Sequence, residues 1–218
     1  MEGNKIVVFD LDDTLYKEVD FLKSAYREIG AFLETHYMVN GGYEKMFRLW
    51  QEGRNAFEEI IREHDLPLSV DELIRMYRMH VPSIILDEKT SEVLSVLSKT
   101  CVMGLITDGR SVTQRNKIKA LGLERFIEES NILISEETGL AKPASEPFQF
   151  FMDKYPNRDY YYIGDNPGKD FIAPNQLGWK TVCLSDDGRN IHHQETVFPD
   201  GNLPTSQINT LKDLLSLA

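Results

Sequence analysis

Apolar runs without polar alternation punctuate this chain. Lys5-Ile6-Val7-Val8-Phe9, Cys101-Val102-Met103-Gly104-Leu105-Ile106, Asn131-Ile132-Leu133-Ile134-Ser135, Tyr160-Tyr161-Tyr162-Ile163 and Lys180-Thr181-Val182-Cys183-Leu184 are the clearest. Such runs fit strands of a parallel sheet, whose two faces are both covered by helices. Between the first two runs the pattern changes. Phe21, Leu22, Ala25, Ile29 and Phe32 recur at helical spacing, as do Met46, Leu49 and Trp50, then Phe57, Ile60 and Ile61, then Leu73, Ile74, Tyr77 and Met79. A crossover between parallel strands needs only a dozen or more residues, far fewer than this stretch supplies. Residues 16–89 are therefore read as an inserted helical cap domain, and residues 1–15 with 90–218 as one sheet domain. Residues 88–97 bring the chain back to the sheet. A helix is predicted over residues 111–121, closed by Gly122. Residues 208–217 are expected to end as a short strand or turn with an amphipathic helix. Residues 185–207 are polar and turn-rich, a long connection beside the usual median of about 4 to 6 residues. They suit an excursion touching a site, a partner contact or mobile surface.

The polar residues that follow the strands carry the chemistry. They are Asp10-Leu11-Asp12-Asp13-Thr14, Thr107-Asp108-Gly109, Lys142-Pro143 and Gly164-Asp165-Asn166-Pro167-Gly168-Lys169-Asp170. If extension persists past Phe9, Asp10 and Asp12 point the same way. Two adjacent carboxylates repel unless a cation sits between them. Magnesium, which prefers carboxylate, water and phosphate oxygens, answers that need. The Thr107 hydroxyl and the Asp108 and Gly109 amides stand at a strand-to-helix turn, where they suit phosphate oxygens. Pro143 biases Lys142 toward extended geometry and helps aim its ammonium. Gly164 permits a close backbone approach, and Asp165 and Asp170 flank a tight loop. The set suits phosphoryl transfer assisted by a hard divalent cation.

These four pieces, in this order and each behind a predicted strand, resemble the signature of the haloacid dehalogenase superfamily: Asp-x-Asp-x-Thr/Val, then Thr/Ser, then Lys, then Gly-Asp-x-x-x-x-Asp. They span residues 10–170. The resemblance implies a Rossmann-like α/β fold, a doubly wound parallel sheet with helices on both faces. Its site lies at the carboxyl ends of the strands. It also implies roles. Asp10 is the nucleophile of a phosphatase working through an aspartyl-phosphate. Asp12 is the general acid and base, protonated at the outset. Asp10, Asp12 (through its backbone carbonyl), Asp165 and Asp170 serve the Mg2+ site. Thr107, Asp108, Gly109 and Lys142 bind the substrate phosphate. The cap resembles that of family members acting on sugar phosphates, nucleotides or small phospho-acids, where it closes over the site and selects the substrate. Within it Arg54 and Asn55, with Arg27 and Arg48 nearby, are candidates for gripping a distal anionic group. Asp12 speaks against metal-free halide release. Thr14, where family phosphomutases tend to carry Val, tilts the reading toward hydrolysis. A catalytically weak phosphate-binding protein on this scaffold is the non-enzymatic alternative, though no signature position is missing.

Composition narrows the partners. The 218-residue chain carries a formal net charge of -11, which argues against nucleic acid and anionic membranes. An anionic substrate must therefore be attracted locally, by the cation and Lys142. No run approaches the roughly 20 apolar residues of a membrane span, and no secretory signal is visible. Cys101 and Cys183, both in predicted buried strands, suit a reducing cytoplasm. His36, His64 and His80 are scattered, and the neighbours His192 and His193 do not share a face. The expected partner is a small phosphorylated metabolite.

Overall fold

The computed structural model describes residues 4–192, 194 and 200–217. His193 and part of the polar connection, residues 195–199, lie outside the described residues. In chain order the elements are β1 (Lys5–Phe9), α1 (Glu18–Tyr37), α2 (Gly42–Gln51), α3 (Ala56–Glu63), α4 (Val70–Met79), α5 (Glu88–Thr100), β2 (Val102–Thr107) and α6 (Ser111–Leu121). There follow β3 (Ile132–Ile134), α7 (Ser135–Thr138), α8 (Glu146–Lys154), β4 (Asp159–Gly164), α9 (Ile172–Gln176), β5 (Lys180–Leu184) and β6 (Ser206–Ile208).

Among the described residues the six strands form one sheet in the order β3-β2-β1-β4-β5-β6, and every pairing is parallel. The chain winds outward from β1 through β2 to β3, then returns to place β4 on the other side of β1. That reversal opens a crevice beyond the carboxyl ends of β1 and β4, where sheets of this kind hold ligands. Phe9 is in register with Leu105 of β2 and Ile163 of β4, so residues just after Phe9, Ile106 and Ile163 meet there.

The strands alternate between two cores. Val7 and Phe9 join one cluster, with Leu94, Leu97, Leu105 and Ile163. Ile6 and Val8 join the opposite one, with Phe148, Phe151, Tyr162 and Trp179. Both faces are buried, which is why the strands read as continuous apolar runs. Helices α1–α4 bury a third cluster of their own, including Leu22, Ile29, Leu33, Met46, Leu49, Ile60 and Leu73. They touch the sheet layer through α4 and α6: the Thr113 hydroxyl donates to the Arg78 carbonyl at 2.9 Å, and the Asn116 amide to the His80 carbonyl at 3.0 Å.

Three local readings change. Met79 does not pack in a helical seam but is 57% exposed at the end of α4. The C-terminal amphipathic helix is a 3-10 helix, Leu211–Leu217, which still buries Leu211 and Leu214 against the core. Cys101 caps α5 rather than lying in a strand. It and Cys183 are both free and buried.

Gly104 of β2 lies between Val8 and Phe151. An added Cβ would sit 2.5 Å from two ring atoms of Phe151 and 3.1 Å from a Val8 methyl. Overpacking of this kind costs about 1–3 kcal/mol. Gly104→Val is expected to lower the urea-unfolding free energy by that amount, and an unchanged midpoint would contradict the packing.

Candidate active site

The chain leaves the sheet at Asp10, and its amide still donates to the Ile163 carbonyl at 2.8 Å. Asp10 therefore stands at the reversal point, almost fully buried. Lys142 reaches it from the loop after α7, through a cis peptide bond to Pro143. Its Nζ lies 2.5 Å from Asp10 Oδ1 and 2.8 Å from Asp170 Oδ1, and donates to the Tyr162 hydroxyl at 3.0 Å. Asp170 comes this close because residue 164 is glycine: a Cβ there would be 2.5 Å from Asp170 Oδ2. The Asn166 amide donates to that same oxygen at 2.9 Å. Asp165 completes the group, its Oδ2 accepting from the Asn190 amide at 2.9 Å. One oxygen from each of Asp10, Asp165 and Asp170 lies within 4.8 Å of the others.

Three buried carboxyls therefore face one ammonium. Lys142 stays charged, the carboxylates around it outweighing its burial. The acids remain under-compensated. Burial, opposed by Lys142 and reinforced by Asp170, lifts Asp10 to about 6. Burial and the charges of Asp10 and Asp170 push Asp165 up to about 9. Hard oxygen donors short of positive charge are what a divalent cation of the magnesium kind requires. The residues present fit such an ion.

Asp12 stands apart. The strand does not persist: Asp13 has a left-handed backbone, φ 57°, and the Asp12 carboxylate turns toward α6. Its Oδ1 lies 2.7 Å from Lys117 Nζ and accepts from the Tyr16 hydroxyl at 2.6 Å, while Oδ2 accepts from the Gln114 amide at 3.0 Å. Burial raises its pKa, but Lys117 and these hydrogen bonds prevail and hold it below the usual carboxylate range. The expectation of a carboxyl protonated at the outset is thus corrected, because a buried ammonium sits against it. Its side chain is also absent from the acidic triad of Asp10, Asp165 and Asp170.

The predicted phosphate-binding residues divide. Thr107 is buried, and its Oγ1 accepts from Gln114 at 2.6 Å. Asp108 accepts from the Lys142 amide at 3.1 Å and from Lys169 Nζ at 3.3 Å. The Gly109 amide, by contrast, donates to Ser135 Oγ at 2.9 Å and is committed to a turn. A cavity of about 170 Å³ opens over these groups, lined by Asp10, Asp12, Glu18, Thr107, Asp165 and Lys169 among others. Lys142 does not line it but contacts Asp10, which does.

Arg54 and Asn55 are not brought to it. Asn55 caps α3, accepting from the Glu58 amide at 3.2 Å. Arg54 pairs with Glu59 at 2.8 Å and Glu52 at 3.3 Å. Arg27 lies over the Tyr43 ring at 4.9 Å, and Arg48 does not line the cavity. Sequence reasoning missed Lys117, Gln114, Glu18, Lys169 and Asn190. Only the first two left a signal: both fall on the helical face that carries Ile118 and Leu121 into the core. The described part of the polar connection does touch the site. Asn190 holds Asp165, the Ile191 amide donates to Asp13 at 2.9 Å, and His192 lines the cavity.

Residues 7–184 match the family model for haloacid dehalogenase-like hydrolases. The chain belongs to that family. The hydrolase is 26% identical to a glyceraldehyde 3-phosphate phosphatase of Methanocaldococcus jannaschii, over 98% of this chain and 96% of that protein. It is 29% identical to the pyrimidine 5'-nucleotidase YjjG of Escherichia coli, over 57% of this chain and 52% of the other. Its fold matches that of the magnesium-bound HAD-hydrolase YfnB from Bacillus subtilis, with TM-score 0.70, 21% identity and 99% coverage of each chain.

Without divalent cations, Asp165 near 9, Glu18 near 7 and Asp10 near 6 keep protons that the unfolded chain has released. The folded state binds more protons, so stability falls as pH rises from about 5 toward 9. Buried His80, lowered from 6.5, opposes this only below its ordinary range. Asp12 and Lys142 titrate outside the window. Magnesium is expected to raise the melting temperature more at about pH 8.5 than at about pH 5.5. Differential scanning fluorimetry checks this, and an equal or reversed effect would contradict the charge deficit.

Proposed function

We propose that this hydrolase is a magnesium-dependent phosphatase that releases phosphate from a small phosphomonoester through an aspartyl-phosphate on Asp10. The observation that carries the reading is the convergence of Asp10, Lys142, Asp165 and Asp170 on one buried point below a polar cavity. The side chains of Asp10, Asp165 and Asp170, with the backbone carbonyl of Asp12, would hold magnesium, which would offset carboxylate and phosphate charge.

An Asp10 oxygen bonds to phosphorus as the bond to the substrate alcohol breaks. Lys142 keeps Asp10 ionised and oriented. Thr107 and Lys169 face the phosphoryl oxygens, where charge spreads in the transition state. Asp12 hands a proton to the leaving alcohol and takes one from the water that hydrolyses the aspartyl-phosphate. Because Lys117 makes Asp12 an anion at rest, that first proton is one carried in by a monoprotonated phosphate.

Residues 16–89 act as a cap in this reading, supported by their separate apolar cluster and their junction with α6. The substrate is a small phosphorylated metabolite. A relative matched over 96% of its length is named a glyceraldehyde 3-phosphate phosphatase, and a cavity of about 170 Å³ suits a short chain. Two buried free thiols support a cytoplasmic location.

Phosphate release is expected from short sugar phosphates more than from nucleotides, to stop with EDTA and to return with magnesium. Asp10→Asn is expected to lose activity by a factor of order 10³ or more while keeping its melting profile. Turnover that survives chelation, or that persists in Asp10→Asn, would overturn the reading.

A further inference from the structure

Asp12 is held by groups that the phosphatase signature does not contain. Lys117 is 2% exposed, and its ammonium lies 2.7 Å from Asp12 Oδ1, 3.6 Å from Glu18 Oε1 and 4.4 Å from the centre of the Phe21 ring. It thus bridges α6, the turn after β1 and the first turn of α1. Gln114, one helical turn earlier on the same face, ties Asp12 Oδ2 to Thr107 Oγ1 at 3.0 and 2.6 Å. Tyr16 closes the other side at 2.6 Å. Burying a lysine is costly, and this one pairs with no surface acid. Its position has no packing purpose that an apolar residue would not serve better.

We infer that Lys117, with Gln114 and Tyr16, is a positioning residue that sets the Asp12 carboxylate for proton exchange with the leaving alcohol. The inference rests on the phosphatase reading and extends it to residues on α6. A carboxylate without these partners would be free to take other rotamers. Three donors, two from α6 and one from Tyr16, hold both of its oxygens, with Asp10 and Asp12 facing separate cations. Reacting groups misplaced by about 1 Å lose of the order of 10² in rate, so the fixation matters only when a proton must be delivered. Leaving groups that depart without a proton do not need it.

The test compares kcat/KM for an alkyl phosphate and for p-nitrophenyl phosphate in wild type, Asp12→Asn, Lys117→Met, Lys117→Arg and Tyr16→Phe. Lys117→Met is expected to slow the alkyl ester by about 10²-fold and the aryl ester by less than about 10-fold, the signature of Asp12→Asn. Lys117→Arg is expected to recover part of the alkyl activity, and Tyr16→Phe to show a smaller loss with the same selectivity. Tyr16→Phe removes a single hydroxyl, so it keeps the test decisive should Lys117→Met unfold. Equal slowing of both esters, or no slowing, in a wild-type-active background would overturn the inference and leave the phosphatase reading standing. Wild-type protein inactive toward both esters would remove that reading and the inference with it.

Discussion

Lys142 Nζ faces more carboxylate than one ammonium neutralises, and much of the molecule is arranged around that imbalance. It contacts Asp10 and Asp170 within 2.8 Å, with Asp165 close behind. A buried ion pair is retained only where its partners are well oriented, and a third buried acid must either keep its proton or find a cation. Burial pushes Asp165 to about 9, so the folded chain alone takes the first course. The groups that hold this arrangement are placed by the sheet. Asp10 and Asp165 follow neighbouring strands, Gly164 makes room for Asp170, and Asn190 reaches back from beyond β5 to fix Asp165. In the proposed reading, stability is given up here for a site that a bound ion would complete.

Two aspartates separated by one residue sit in opposite surroundings. Asp10 shares its cation with other acids and lies above the usual carboxylate range. Asp12 has Lys117 almost to itself and lies below it. Environments that drive paired acids apart suit them to different chemistry: in the proposed reading, a nucleophile beside a metal site and a group that exchanges protons. The left-handed residue Asp13 makes the separation, turning the chain so that the second carboxylate leaves the first.

The sheet was legible because parallel strands buried on both faces produce uninterrupted apolar runs, and β1, β2, β4 and β5 fall on them. The helices of residues 18–79 were legible from their spacing. Asp10, Thr107 and Asp165 could be placed from the strand ends where they stand, whereas Lys142, beyond α7, and Asp170 were picked out by their resemblance to the family signature. Lys117 and Gln114 were not, since a helical pattern tells which face is buried but not which polar group beside it meets a residue about a hundred positions away. The Gly109 amide was misread because its turn bonds to Ser135, a tertiary contact. Arg54 and Asn55 were misread because a helix cap and a local ion pair use the same residue types as an anion site. The polar connection revealed its purpose only once Asn190 and Ile191 were placed.

Isothermal titration of magnesium into the wild type and Asp165→Asn at about pH 7.5, in two buffers of different ionisation enthalpy, tests the charge deficit most directly. The account predicts one ion per chain with about one proton released, since Asp165 must give up its own to bind, and no proton release in Asp165→Asn. Absence of binding, or binding to the wild type without proton release, would contradict it.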